Sequence, residues 1–215
     1  MCSIFRIRAV ASLAVIAAST LGLTSCASEF TRTGSSPSFI IVESLLGAPG
    51  NEPDQFGSPL FSDVQTIVEE TISGQPVRLP TTFNDLGQVR MSLSLRNPNT
   101  PTGPSSVNAI TVNRYHVDFR RADGRNTPGV DVPYPFDGAV TFTIPTTGSA
   151  TFAFEVVRLQ AKRESPLANL AGGGGSRQIS TLAEVTFYGR DQAGNEVSAA
   201  GTLAVNFGDF ADPKQ

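Results

Sequence analysis

Cysteine is almost absent from this 215-residue chain, and no cysteine follows Cys26. A disulfide framework and a thiolate metal site are therefore excluded downstream, where the fold must stand on packing alone. Tryptophan is missing altogether, and phenylalanine, 14 residues in all, takes its place. Without Trp, a glycan-cleaving cleft would lack its usual sugar-stacking platform. The single histidine, His116, rules out a His-pair metal site and leaves room for only one Ser-His-Asp arrangement. No Gly-x-Ser-x-Gly elbow accompanies it. Clusters of Lys and Arg are also lacking, with 16 basic residues against 19 acidic ones and a net charge of −3. That balance argues against nucleic acid and anionic lipid headgroups as partners.

The chain does carry a patterned N-terminus. Arg6 and Arg8 precede an apolar stretch from Ala9 to Leu23, followed by small residues and Cys26. This is the build of a secretory signal peptide. The stretch is too short, and too rich in Ala, Ser and Thr, for a permanent membrane span, which takes about 20 predominantly apolar residues. The run Leu23-Thr24-Ser25-Cys26 resembles the lipobox of bacterial lipoproteins. The resemblance implies a diacylglycerol on the Cys26 thiol, cleavage of residues 1–25, and an N-acyl chain on the new amine. Several acyl chains give lasting attachment, each buried CH₂ contributing about 0.8 kcal/mol. The resemblance further implies that Ala27 directs the protein to the outer membrane in a Gram-negative cell, facing the periplasm or the cell surface. The plainer reading makes Cys26 an ordinary small residue at a signal-peptidase site. No cofactor beyond these acyl groups is expected.

Residues 26–37 are small and polar and read as a flexible tether. Ser38 to Leu45 reads as a strand buried on both faces at its centre, ended by Gly47-Ala48-Pro49-Gly50. Asn51 to Ser62 has no period and reads as a long loop, and Val64 to Glu70 fits a strand or one helical turn. Residues 38–80 thus form a strand and loop packing on a sandwich domain at 81–210, with a disordered tail at 211–215.

From Gln88 to Arg96 the odd positions are apolar and the even ones polar, the signature of a strand with one buried face. Asn97-Pro98-Asn99 stops it. In the strand from Ala109 to Arg121, Ile110 and Val112 share one phase while Tyr115, Val117 and Phe119 share the other. This phase change predicts a β-bulge near Asn113-Arg114. Asp123-Gly124 turns the chain into an extended loop, Arg125 to Asp137, along a sandwich edge. Ala139 to Ile144 and Ala150 to Val156 alternate as strands, joined by Thr146 to Ser149 as a hairpin-like link. Ser165 to Leu170 fits one helical turn with Pro166 at its first position. Gly172 to Gly175 reads as a flexible loop rather than a phosphate cradle, because no Lys-Ser or Lys-Thr helix start follows it.

The clearest pair comes last. Ala183, Val185 and Phe187 alternate with polar residues, Arg190 to Asn195 turns, and Val197, Leu203, Val205 and Phe207 return. Ala199-Ala200-Gly201 marks a bulge or a close sheet contact. The Asp191-x-x-Gly194-Asn195 turn resembles the last hairpin of bacterial immunoglobulin-like and fibronectin-like modules. The strand ending in Asn97-Pro98-Asn99 is similar to the first strand of water-stress and late-embryogenesis type 2 domains. The expected fold is all-β, an antiparallel immunoglobulin-like β-sandwich of about 7–9 strands with a helical turn near 165–170.

Chemistry is sparse on this framework. His116 falls on the strand face opposite Tyr115 and Val117, at the surface. Glu155, Glu164, Glu184 and Asp191 are isolated along the chain, whereas glycoside hydrolysis needs two acids about 5 to 9.5 Å apart. Asp191, Asn195 and Glu196, or Asp123, Asp131 and Asp137, offer hard oxygens to calcium, although Asp and Asn are also ordinary turn residues. The expected function is a membrane-anchored, extracytoplasmic binding or structural module of the cell envelope. It is not an enzyme, and it meets a protein or glycan partner through the loops Asn51 to Ser62 and Arg125 to Asp137. The alternatives are a stress-protective water-stress domain and a glycan-active hydrolase.

Overall fold

The computed structural model describes residues 36–99, 103–173 and 176–210. The lipobox, the tether as far as Ser35, Gly174-Gly175 and the tail at 211–215 lie outside the described residues. Ser36 and Pro37, placed at the end of the tether by their composition, are part of the fold. Ser36 is buried and its carbonyl accepts from Arg96 Nε at 2.9 Å, while Pro37 O accepts from the Arg96 backbone at 2.8 Å.

The architecture is an all-β sandwich of eight strands in two sheets, with a further two in a separate ribbon, among the described residues. They are β1 (Ser38–Ala48), β2 (Leu60–Asp63), β3 (Thr66–Ile72), β4 (Gln75–Thr81), β5 (Asp85–Leu95), β6 (Ile110–Arg120), β7 (Phe136–Ile144), β8 (Ser149–Val157), β9 (Ile179–Asp191) and β10 (Glu196–Gly208). One sheet has the order β1-β5-β8, the other β2-β10-β9-β6-β7. Every pairing is antiparallel except that of β2 with β10. With β1, β5 and β8 read as strands A, B and E, and β10, β9, β6 and β7 as G, F, C and C′, this is the neighbour order of an immunoglobulin-like sandwich.

The alternating residues of the two sheets meet in a core led by Phe119, Phe187, Phe207, Met91 and Leu203. Two cross-strand pairs set its centre. Gly87 on β5 lies opposite Phe154 on β8, and Gly138 on β7 opposite Tyr115 on β6. A Cβ on either glycine would run into its partner's ring. Each ring therefore lies flat on its own sheet, and the two meet edge to face across the sandwich with centroids 4.9 Å apart.

Several expectations are corrected. The strand at Ser38 is not buried on both faces: it alternates, with Phe39 37% and Ile41 40% exposed and Ile40 buried, because it is an outer strand covered on one side. It also bulges between Val42 and Ser44. Thr146 to Ser149 is not a hairpin link but a crossover, since β7 pairs with β6 and β8 with β5 in different sheets. The loop from Asn51 ends early: Leu60–Asp63 runs parallel to β10 and closes that sheet's edge. The predicted bulge at Asn113 is present, with the register shifting between Val112 and Arg114 against both neighbours. Ala199-Ala200-Gly201 holds regular register, and its glycine marks a close contact, where a Cβ would meet Val42 and Leu45 of the opposite sheet. A 3₁₀ turn at Leu167–Leu170 occupies the predicted helical position, preceded by a short helix, α1 (Leu159–Arg163).

β3 and β4 pair only with each other, as a ribbon outside both sheets. Ser73 (φ 54°) and Gly74 (φ 79°) are both left-handed, as a type I′ hairpin turn requires. Counting the alternating ladder back from that turn, the amide sides of Pro76 and Pro80 face outward, where proline removes no ladder hydrogen bond.

One ion pair is fully enclosed. Lys162 of α1 and Asp85 of β5 are 1% and 0% exposed, with Nζ to Oδ1 at 2.7 Å. The same ammonium donates to Asp63 O at 2.8 Å, and Gly50 N–H donates to Asp85 Oδ1 at 2.9 Å. Asp85 Oδ2 and the neighbouring Ser62 hydroxyl make no well-aligned hydrogen bond. Burial pushes the Asp85 carboxyl up, against the opposing pull of Lys162, Ser62 and the Gly50 amide.

Candidate functional site

A concavity opens on the outer face of the five-stranded sheet, at the end where the β9–β10 turn lies. It is a groove of about 610 Å³, within the size range of small-ligand sites. The bulge on β6 builds it. Regular alternation would turn successive residues to opposite faces, but the extra residue leaves both Asn113 and Arg114 exposed between buried Val112 and Tyr115.

Across from the bulge, β9 offers Tyr188, Gly189 and Arg190, and β10 offers Glu196 and Ser198. The Arg114 guanidinium lies over the Tyr188 ring, 4.2 Å from its centre. Its Nη1 is 3.8 Å from Asp137 Oδ1 at the rim. Arg190 pairs with Glu196 at 2.8 Å, with side chains 61% and 79% exposed. Such an exposed pair contributes little energy and opens readily.

Gly189 is the steric condition of the bulge. A Cβ there would meet Thr111 O at 2.6 Å and Val112 Cα at 3.1 Å, because the bulge draws the two backbones together. Gly189→Ala is expected to cost about 1–3 kcal/mol and to disturb the bulge. A urea midpoint equal to that of the native protein would show that the two features are independent.

The residues singled out from sequence are placed as follows. His116 lies on the outer sheet face, as its strand phase indicated, with Nδ1 3.3 Å from Asp137 Oδ1. Glu184 pairs with Arg120 at 3.4 Å and Glu164 accepts from Gln160 at 2.8 Å. Asp191 organises the β9–β10 turn: Oδ1 accepts the N–H groups of Ala193 and Asn195, both at 2.9 Å, and Oδ2 accepts the Asn195 amide at 2.8 Å. Burial pushes the Asp191 carboxyl up, but these bonds and one from Ser36 outweigh it and hold it below the usual carboxylate range.

The oxygens proposed for calcium are therefore turned to protein donors, with Glu196 on Arg190 and Asp123 on Arg121 and Arg125 at 2.7 and 2.8 Å. Asp131 accepts from the Thr127 backbone. Among the described residues no three His, Cys, Asp or Glu side chains are grouped to hold a metal.

Of the two loops expected to meet a partner, the first is pinned by a bridge between Gly47 and Gly57, and the second is folded on Thr127 and leaves Val130 and Tyr134 exposed. The groove itself escaped sequence reading because its residues come from three strands and meet only through sheet register. The predicted bulge was the one available signal.

The class this geometry defines is an all-β, immunoglobulin-like sandwich with an open polar groove on one sheet. No protein-family model, curated protein or solved structure matches the chain. No helix among the described residues is long and apolar enough to cross a membrane.

Proposed function

We propose that this protein is a non-catalytic binding module of the cell envelope, tethered outside the cytoplasm by acyl groups on Cys26 and meeting its ligand on the outer face of the five-stranded sheet. The tether rests on the order of Arg6, Arg8, the apolar stretch and Leu23-Thr24-Ser25-Cys26. The observation that carries the binding role is the groove at the β6 bulge, a rigid sheet surface lined by exposed hydrogen-bonding side chains. Of the acids weighed for hydrolysis, Glu164 and Glu184 are each engaged with a neighbour and Asp191 with its own turn, which favours the binding reading. The water-stress reading rested on the strand before Asn97. That strand, β5, lies between β1 and β8, in the position of strand B of an immunoglobulin-like order, and the reading loses its footing.

Mass spectrometry of the N-terminal peptide from native membranes tests the tether. The expected peptide begins at Cys26 and carries a diacylglyceryl thioether and an acylated amine. A free thiol, or a leader still attached, overturns the anchor.

A further inference from the structure

Resting on the binding role just proposed, we infer that the groove between the β6 bulge and the β9–β10 turn recognises a carboxylate-bearing glycan of the uronic-acid type. The chain as a whole is acidic, yet this groove is lined by two guanidiniums from neighbouring strands. Arg114 sits directly across from Tyr188, whereas Arg190 lies two residues further along β9, opposite Thr111, with Gly189 between them.

Arg114 holds its guanidinium carbon over the Tyr188 ring, 4.2 Å from the centre. The ring backs the charge on one side, and the long 3.8 Å contact of Nη1 with Asp137 leaves N–H donors for the fork that a carboxylate matches. Arg190 is held by an exposed pair with Glu196, so an incoming carboxylate can take its donors while Glu196 swings into solvent.

The rest of the lining decides between carriers of that carboxylate. Asn113, Ser198 and the Tyr188 hydroxyl supply mixed donors and acceptors, as sugar hydroxyls require. A peptide held by its side chains would call instead for apolar recesses. The Arg114 guanidinium covers the Tyr188 ring, so charge and hydrogen bonding rather than ring stacking anchor the sugar.

The test is calorimetric titration of the full acylated protein in detergent with tetragalacturonate, maltotetraose and tetraglutamate. Tetragalacturonate is expected to bind, with affinity falling as salt rises, and Arg114→Gln and Arg190→Gln are each expected to weaken it by about tenfold or more. Both side chains are more than half exposed, so the variants should keep the native melting temperature. Equal binding of maltotetraose overturns the need for a carboxylate, and equal binding of tetraglutamate overturns the glycan. Unchanged affinity in the Gln variants overturns the site.

The broader binding role fails separately. It falls if none of the three probes binds and if crosslinking of the intact lipoprotein in its own membrane captures the same products from the Gln variants as from the native protein. Loss of a crosslinked product in those variants, with no probe bound, retains the binding role and overturns the uronate.

Discussion

Lys162→Met is expected to destabilise the protein by about 3–5 kcal/mol at neutral pH, because it strands the Asp85 carboxylate in a site sealed from water. The loss should depend on pH in a definite sense. Burial already raises the Asp85 pKa in the native fold, and removing the ammonium raises it further. A carboxyl whose folded pKa exceeds its unfolded value contributes stability that is fully present below the unfolded pKa, about 4, and is lost as pH rises through the folded pKa. The deficit of the variant relative to the native protein should therefore narrow as pH falls from 7 towards 4. Urea denaturation at several pH values reads this directly, and a deficit that widens on acidification refutes it. Adding Asp85→Leu to Lys162→Met removes both charges and should recover most of the loss.

Phe154→Ala is expected to cost about 3–5 kcal/mol, since the ring is almost fully buried and its removal leaves a cavity. It stands against Tyr115 and Phe187, with centroids 4.9 and 5.3 Å away. The more specific expectation concerns Gly87 beneath it. Gly87→Ala alone should cost about 1–3 kcal/mol, because the new methyl displaces a ring packed within 3 Å. In the double variant that methyl occupies space the ring has vacated. The combined cost should fall short of the sum of the two, and additive values in a double-mutant cycle would show that the ring and the glycine do not act as a pair.

Much of the sandwich was legible wherever one sheet face is buried and the other wet. Val89 and Met91 of β5 and Ala183, Val185 and Phe187 of β9 alternate cleanly because burial alternates there. The bulge was legible for the same reason, since inserting one residue flips the phase of everything after it. Partner choice was not legible: the alternation in β7 and β8 is the same whether they pair with each other or lie in opposite sheets. The ribbon's second strand, β4, was missed because Pro76 and Pro80 speak against a strand, and only an edge facing solvent tolerates them. Lys162 was missed because a lysine in a five-residue helix reads as a solvated side chain, and its partners lie 77 and 99 residues away.

The Lys162 ammonium also sets the standing of the segment it brackets. Asp63 and Asp85, one just before the ribbon and one just after it, are both held by the same nitrogen. The stem of the hairpin is thus locked at its base, where Thr66 Oγ1 also donates to Asp63 Oδ2. The exposed Ser73-Gly74 tip is expected to tolerate changes of length and sequence while the scaffold beneath keeps its shape.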